Sequence, residues 1–269
     1  MASVLQFEKR GHIVYITLNR PEVRNALNPE LMVRLAEAWQ EFDKDDDLRV
    51  AIVTGAGDKA FCAGADLKTL IPLMTGARQP EDEWDHRLRE DASLGRTALL
   101  RGYPLYKPVV SAINGHCLAA GTELLQGTDI RIAAEHAMIG LTEVKRAIVP
   151  AGGGLARMPR QVPYAKAMEI LLVGDSISAD EARLIGFVNY VVPASELMAK
   201  AEEFAHKIAA NGPLAVRKAK EAVIRSSGLP LEEAYRVESE SVAVVMQSED
   251  AREGPRAFIE KRPPQYKGR

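Results

Sequence analysis

The 269-residue chain holds only two cysteines, Cys62 and Cys117, set far apart with no CxxC or paired Cys/His spacing. That excludes a disulfide framework and a zinc site, so no metal is expected, and it fits a reducing, cytoplasmic compartment. Net charge is almost absent at −2, which removes any global electrostatic reason to bind a polyanion such as duplex DNA. No apolar run is long: stretches such as Ile170 to Val173 break at charge or glycine far short of the ~20 residues a membrane span needs. The amino terminus, Met1 to Arg10, lacks the basic-then-apolar order of a secretory leader. What is present, 46% hydrophobic and 27% charged residues, is the composition of a soluble protein able to bury a core without staples. At roughly 150 residues per domain, one large domain or two small ones are expected.

Ile13 to Leu18 is a β-branched run that stops at Asn19-Arg20-Pro21, as a strand closed by a turn does. Asn28-Pro29 supplies an N-cap and a first helical residue, and Leu31, Leu35, Trp39 and Phe42 follow at helical spacing up to the acidic Asp43 to Asp47 stop. Val50 to Thr54 and Val109 to Ile113 are continuous apolar runs suited to strands covered on both faces. Strand, helix and strand predict a crossover unit within a mostly parallel sheet, with further strands near Ile130 to Ala133 and Val188 to Val192. From Ala194 the signals are helical only, with stripes Leu197, Ala201, Phe204, Ile208 and Leu231, Ala234, Val242, Val245 separated by Asn211-Gly212-Pro213 and Gly228-Leu229-Pro230. The chain thus divides into an α/β core, residues 1–193, and a helical region, residues 194–269. The run Glu81 to Asp91 is nearly all charge and predicts a solvated helix face.

Few segments carry chemistry by themselves. Gly55-Ala56-Gly57 after a strand has the look of a dinucleotide-binding turn, but no helical period follows and the strand is not the first of the sheet, so an ordinary loop is the better reading. Gly152-Gly153-Gly154 before Leu155 is either a tight turn or a set of amides offered to an anion at a helix start. His116 and Cys117, adjacent on a strand, point to opposite faces and do not form a nucleophile and base. No GxSxG elbow is present. Glu123 and Glu143 each sit in a neutral, largely apolar stretch. Two carboxyl groups sharing an apolar cavity can hold different protonation states, which permits general acid and general base work together. Two solvent-facing glutamates are the plainer alternative.

Taken together, Leu18 to Leu27, Ala60 to Leu67, Lys107 to Gly115, the Glu123 and Glu143 segments, Pro150 to Gly154 and Ala257 to Arg262 resemble, in order and spacing, the enoyl-CoA hydratase/isomerase (crotonase) family. The resemblance covers almost the whole chain. It implies a spiral of ββα units with a carboxyl-terminal helical trimerisation region, assembled as a homotrimer or dimer of trimers. It implies an acyl-CoA thioester substrate, coenzyme A being part of that substrate, with no separate cofactor. The backbone amides of Ala65 and Ala120 match the pair that holds the thioester oxygen, where charge collects in an enolate-like transition state. Glu123 matches the group that holds and deprotonates water attacking the β-carbon, and Glu143 the group that protonates the α-carbon. Arg24, Ala26, Ala63, Gly64, Asp66, Leu67 and Gly121 match positions that line the CoA and substrate site.

Two stretches depart from the family. Ala119-Ala120-Gly121 stands where a glycine triplet is usual, so its backbone dihedrals are in question. Thr142, Lys145 and Arg146 stand where proline, an apolar residue and glycine are common, changes that bear on the cavity around Glu143. Pro255 to Arg269 carries Arg256, Lys261, Arg262, Lys267 and Arg269 against Glu260 alone, either as a solvated tail or as cations for CoA phosphates. The expected activity is hydration of a 2-enoyl-CoA to a 3-hydroxyacyl-CoA. The alternatives are a double-bond isomerase of the same fold and a non-catalytic scaffold binding CoA or RNA.

Overall fold

The computed structural model describes residues 3–269; Met1 and Ala2, part of the stretch read above for a leader, lie outside them. The strands are β1 (Leu5–Arg10), β2 (Ile13–Leu18), β3 (Val50–Gly55), β4 (Ala60–Cys62), β5 (Val109–Ile113), β6 (His116–Leu118), β7 (Ile130–Ala134), β8 (Met138–Gly140), β9 (Ile177–Ser178) and β10 (Tyr190–Val192). The helices of the body are α1 (Pro29–Lys44), α2 (Leu70–Thr75), α3 (Glu83–Glu90), α4 (Ala92–Ala98), α5 (Ala120–Leu125), α6 (Gly154–Gln161), α7 (Tyr164–Val173) and α8 (Ala179–Leu184). Then come α9 (Leu197–Ala209), α10 (Pro213–Ser226), α11 (Leu231–Met246) and α12 (Glu249–Ile259).

The strands form two sheets rather than the single one expected. Six run in the order β1-β2-β3-β5-β7-β10 and four in the order β4-β6-β8-β9. From β2 to β10 the larger sheet is parallel, and so are β4, β6 and β8 in the smaller one. Successive strand pairs, β3 with β4, β5 with β6 and β7 with β8, give one strand to each sheet before the chain returns through helix. This is the spiral of ββα turns. The last strand of the large sheet begins at Tyr190, not near Val188, which is buried in the turn before it.

Local chemistry explains the longer elements. The Asn28 side chain accepts the Leu31 amide at 3.0 Å and Pro29 occupies the first turn of α1. Leu31, Leu35, Trp39 and Phe42 are then fully buried, each side chain contributing on the order of 2 kcal/mol of apolar burial. β3 and β5 are covered on both faces, one by the main core and the other by α9, whose Leu197, Ala201, Ala205 and Ala209 meet Val50, Ile52, Val110 and Ala112. Thus α9, beyond residue 193, is packed on the large sheet.

The charged run around α3 is not simply solvated. Asp85 is 2% exposed and accepts both guanidinium nitrogens of Arg78, at 2.5 and 2.8 Å, together with the amide of Glu81. A buried carboxylate needs such a partner, and Arg78, which also donates to Thr69 O, links α3 to the start of α2. The basic tail is likewise engaged: Arg262 and Arg256 pair with Glu253, and Lys267 and Arg269 with Glu249.

Candidate active site

Because β4, β6 and β8 are parallel neighbours, their carboxyl ends lie side by side, each ~4.8 Å from the next. The loops that leave them are Ala63 to Asp66, Ala119 to Glu123 and Leu141 to Glu143. They are contributed by three successive turns of the spiral and converge on one edge.

The first loop is held by backbone bonds: the Leu27 amide donates to Gly64 O at 2.8 Å, the Asp66 amide to Leu27 O at 2.9 Å and the Ala63 amide to Arg24 O at 3.0 Å. Gly64 takes φ +100°, open to glycine at little cost, and a Cβ there would lie 2.8 Å from Ala119 Cβ. The Asp66 carboxylate is 9% exposed and already committed to Arg20 and to the amides of Lys68 and Thr69. Burial raises its pKa, but these donors prevail and hold it below the ordinary value. Arg20 also donates to Ala26 O at 2.5 Å. Arg24 is exposed, in the left-handed region at φ 55°, and Leu67 is 56% exposed.

In the second loop, Gly121 lets α5 lie against β4, since a Cβ would stand 2.5 Å from Cys62 O. The Thr122 hydroxyl sits 2.7 Å from Cys117 O and 2.9 Å from Gly140 O, tying α5 to β6 and β8. The dihedral in question is borne by Ala119, at φ 51° and ψ −123°, not by Ala120. The cost of such a conformation in a residue with a Cβ is ~1–3 kcal/mol. It turns the chain so that the amide of Ala120 has no protein acceptor among the described residues, and the amide of Ala65 has none either. The built Cβ of Gly64 would lie 3.5 Å from Ala120 N, so the two loops abut at these amides.

Both glutamates are buried, Glu123 at 3% and Glu143 at 7% exposure. Their surroundings differ. Glu123 Oε1 accepts the Gly154 amide at 2.8 Å, and the Gly152 amide also faces the carboxylate. The glycine group therefore presents amides to an anion, and that anion belongs to the chain itself. Burial raises the Glu123 pKa, opposed by these amides and by the guanidinium groups of Arg101 and Arg157. Glu143, in the 3-10 turn Glu143–Arg146, has one carboxyl oxygen, Oε2, with no hydrogen-bond partner among the described residues. Burial, with repulsion from Glu123 added, pushes its pKa up to about 7 against the pull of its own amide and of Arg146. Lys145 and Arg146 are exposed; Lys145 pairs with Asp175 and Arg146 returns to Thr142 O. The charges that depart from the family pattern thus lie on the solvent side of the turn.

Cys62 and Cys117 are register partners on β4 and β6, both fully buried free thiols, and burial pushes the Cys62 thiol up to about 12. Neither is reactive in that state. Sequence reasoning did not single out Arg101 or Arg157; Arg157 follows the glycine group by one helical turn, a spacing that places it near whatever the glycines hold.

The model of the enoyl-CoA hydratase/isomerase family matches residues 8–269. Over 265 residues the chain is 43% identical to enoyl-CoA hydratase EchA19 of Mycobacterium tuberculosis, covering 97% of this chain and 96% of that one. It is 39% identical over 273 residues to a carnitinyl-CoA dehydratase of Salmonella enteritidis, with both covered at 100%. The crystal structure of an enoyl-CoA hydratase from Bacillus anthracis superimposes with a TM-score of 0.89 at 41% identity, covering 99% of this chain and 100% of that one.

Proposed function

Because this chain belongs to the enoyl-CoA hydratase/isomerase family, we propose that it is an enoyl-CoA hydratase, adding water across the 2,3 double bond of a 2-enoyl-CoA. The observation that carries the reading is the unequal setting of two buried carboxyls. Glu123, with amides on its carboxylate, is the base, and Glu143, titrating at about 7, is the acid. Glu123 takes a proton from water as its oxygen bonds to the β-carbon. Glu143 gives its proton to the α-carbon. The two transfers sum to one water, and a proton passed back from Glu123 to Glu143 restores the pair. In between, the thioester oxygen carries enolate charge, which the free amides of Ala65 and Ala120 receive, each contributing about 3 kcal/mol. The reverse reaction uses the same groups with roles exchanged, which accommodates a relative named as a dehydratase.

The CoA moiety is assigned to the edge formed by Arg24, Ala26, Ala63, Gly64, Leu67 and Gly121, with Asp66 shaping the loop through Arg20 rather than meeting substrate. No additional cofactor enters the scheme, and a cytoplasmic setting accords with the two free thiols. The exposed apolar residues of the terminal helices, among them Leu231, Tyr235, Met246 and Phe258, support assembly as a trimer or dimer of trimers.

Purified protein is expected to remove the conjugated thioester absorbance of a panel of short, medium and aryl 2-enoyl-CoAs and to yield products heavier by one water. Products of unchanged mass carrying solvent deuterium would establish the isomerase instead, and no turnover across the panel would end the catalytic reading.

A further inference from the structure

We propose that Arg157 is a positioning residue for the proposed base, fixing the backbone of Glu123 and the helix that supplies its amide donor from behind the site. The inference rests on the assignment of Glu123 as that base. Arg157 lies on α6, whose first amide, that of Gly154, binds the Glu123 carboxylate. Its Nη1 reaches Leu99 O at 3.2 Å and Glu123 O at 3.4 Å, and its Nη2 bonds Leu100 O. One guanidinium therefore joins the end of α4, the backbone of α5 and the start of α6, the elements that fix the carboxylate and its amide donor.

The surroundings are arranged for this fork. A Cβ at Gly127 would stand 3.2 Å from Arg157 Nη1, and one at Gly153 would stand 3.6 Å from it. Leu100, which offers its carbonyl to Nη2, is held in the left-handed region at φ 52°, a strain that persists only where the surroundings enforce it. The charged groups acting on Glu123 are Glu143 from the 3-10 turn, Arg101 from the segment after α4 and Arg157 from α6. Arg101 is exposed and donates to Ala151 O at 2.5 Å. Arg101 exerts the larger pull on the carboxyl, but Arg157 is half-buried and it is Arg157 that also bonds the Glu123 backbone. The coupling is mutual: burial and Arg101 lower the Arg157 pKa, whereas Glu123 raises it.

The test is a carbon-13 NMR titration of glutamate carboxyl groups in the Glu143→Gln background, where Glu123 no longer titrates against its neighbour; the Glu123 signal is assigned by its loss in Glu123→Gln. Replacement Arg157→Met is expected to raise the Glu123 midpoint, through loss of an opposite charge and of the order it imposes on the Gly154 amide. Arg157→Lys, which keeps the charge but cannot span three carbonyls, is expected to give a smaller rise. In the otherwise unmodified chain both variants are expected to lower kcat more than they raise KM. A folded Arg157→Met protein with an unmoved midpoint overturns the proposal. If that variant does not fold, an unmoved midpoint and unchanged kcat in Arg157→Lys overturn it. The titration needs no substrate, so a moved midpoint together with no turnover of any enoyl-CoA would sink the hydratase reading and leave the action of Arg157 on Glu123 standing.

Discussion

At Glu143 the cost of burial and the needs of the reaction point the same way. Its carboxyl titrates at about 7 in the folded chain against 4.5 ordinarily. Between those values the folded state holds one proton more than the unfolded chain, so stability falls as pH rises through that window. Glu143→Gln removes the titration. It is expected to change stability little at pH 5 and to add roughly 3 kcal/mol at pH 8, read from urea midpoints. The same substitution, and Glu123→Gln, should each lower turnover by ~10²–10⁴-fold with the fold intact. Ala119 makes a second residue-scale prediction. Its φ of 51° strains any residue with a Cβ, so Ala119→Gly is expected to stabilise the chain by about 1 kcal/mol, raising the thermal midpoint by ~2–4 °C.

Among the elements, α3 is tied to the segment before it by a buried pair. Asp85→Ala would leave the Arg78 guanidinium, whose side chain is only 19% exposed, with only the exposed Glu81 carboxylate, at 3.5 Å, in place of its buried partner. Breaking such a pair from one side is expected to cost roughly 3 kcal/mol by denaturant unfolding, whereas removing an exposed acid of the same helix, as in Glu83→Ala, should cost well under 1 kcal/mol. The pair also marks a limit of sequence reading. Glu81 to Asp91 has the composition of a solvated face, and nothing local tells Asp85 from its neighbours; only the approach of Arg78 does. Likewise α1, β3 and β5 are long enough to show a period or a continuous apolar run, while β4, β6 and β8, at three residues each, are too short for either. The second sheet was therefore legible only through the family resemblance.

For the whole molecule the same division holds. The α/β body and the helical carboxyl region follow from pattern, but Glu123 and Glu143 are distinguishable from ordinary surface glutamates only once parallel strands bring their loops together. The glycine group at 152–154 shows the same dependence: its amides suit an anion, and which anion is decided by tertiary contact. The terminal helices show it too, since α10 buries no residue within the chain and Phe258 and Ile259 are 85% and 78% exposed. If these faces join subunits as proposed, a Leu231→Glu, Tyr235→Glu double variant is expected to sediment as a smaller species than the parent while its far-ultraviolet circular dichroism is unchanged.

The spiral places the unpaired amides of Ala65 and Ala120 and the two buried carboxyls on loops of three consecutive turns, while the core beneath is made by other residues of those turns. Each loop thus carries its own share of the proposed chemistry while leaning on its neighbours. Replacing the turn after β8, and with it the proposed proton donor Glu143, is expected to alter the chemistry at the α-carbon more than the proposed hold on the thioester oxygen, whose amides lie on the other two loops. In this architecture a new reaction requires a local rewrite rather than a new scaffold.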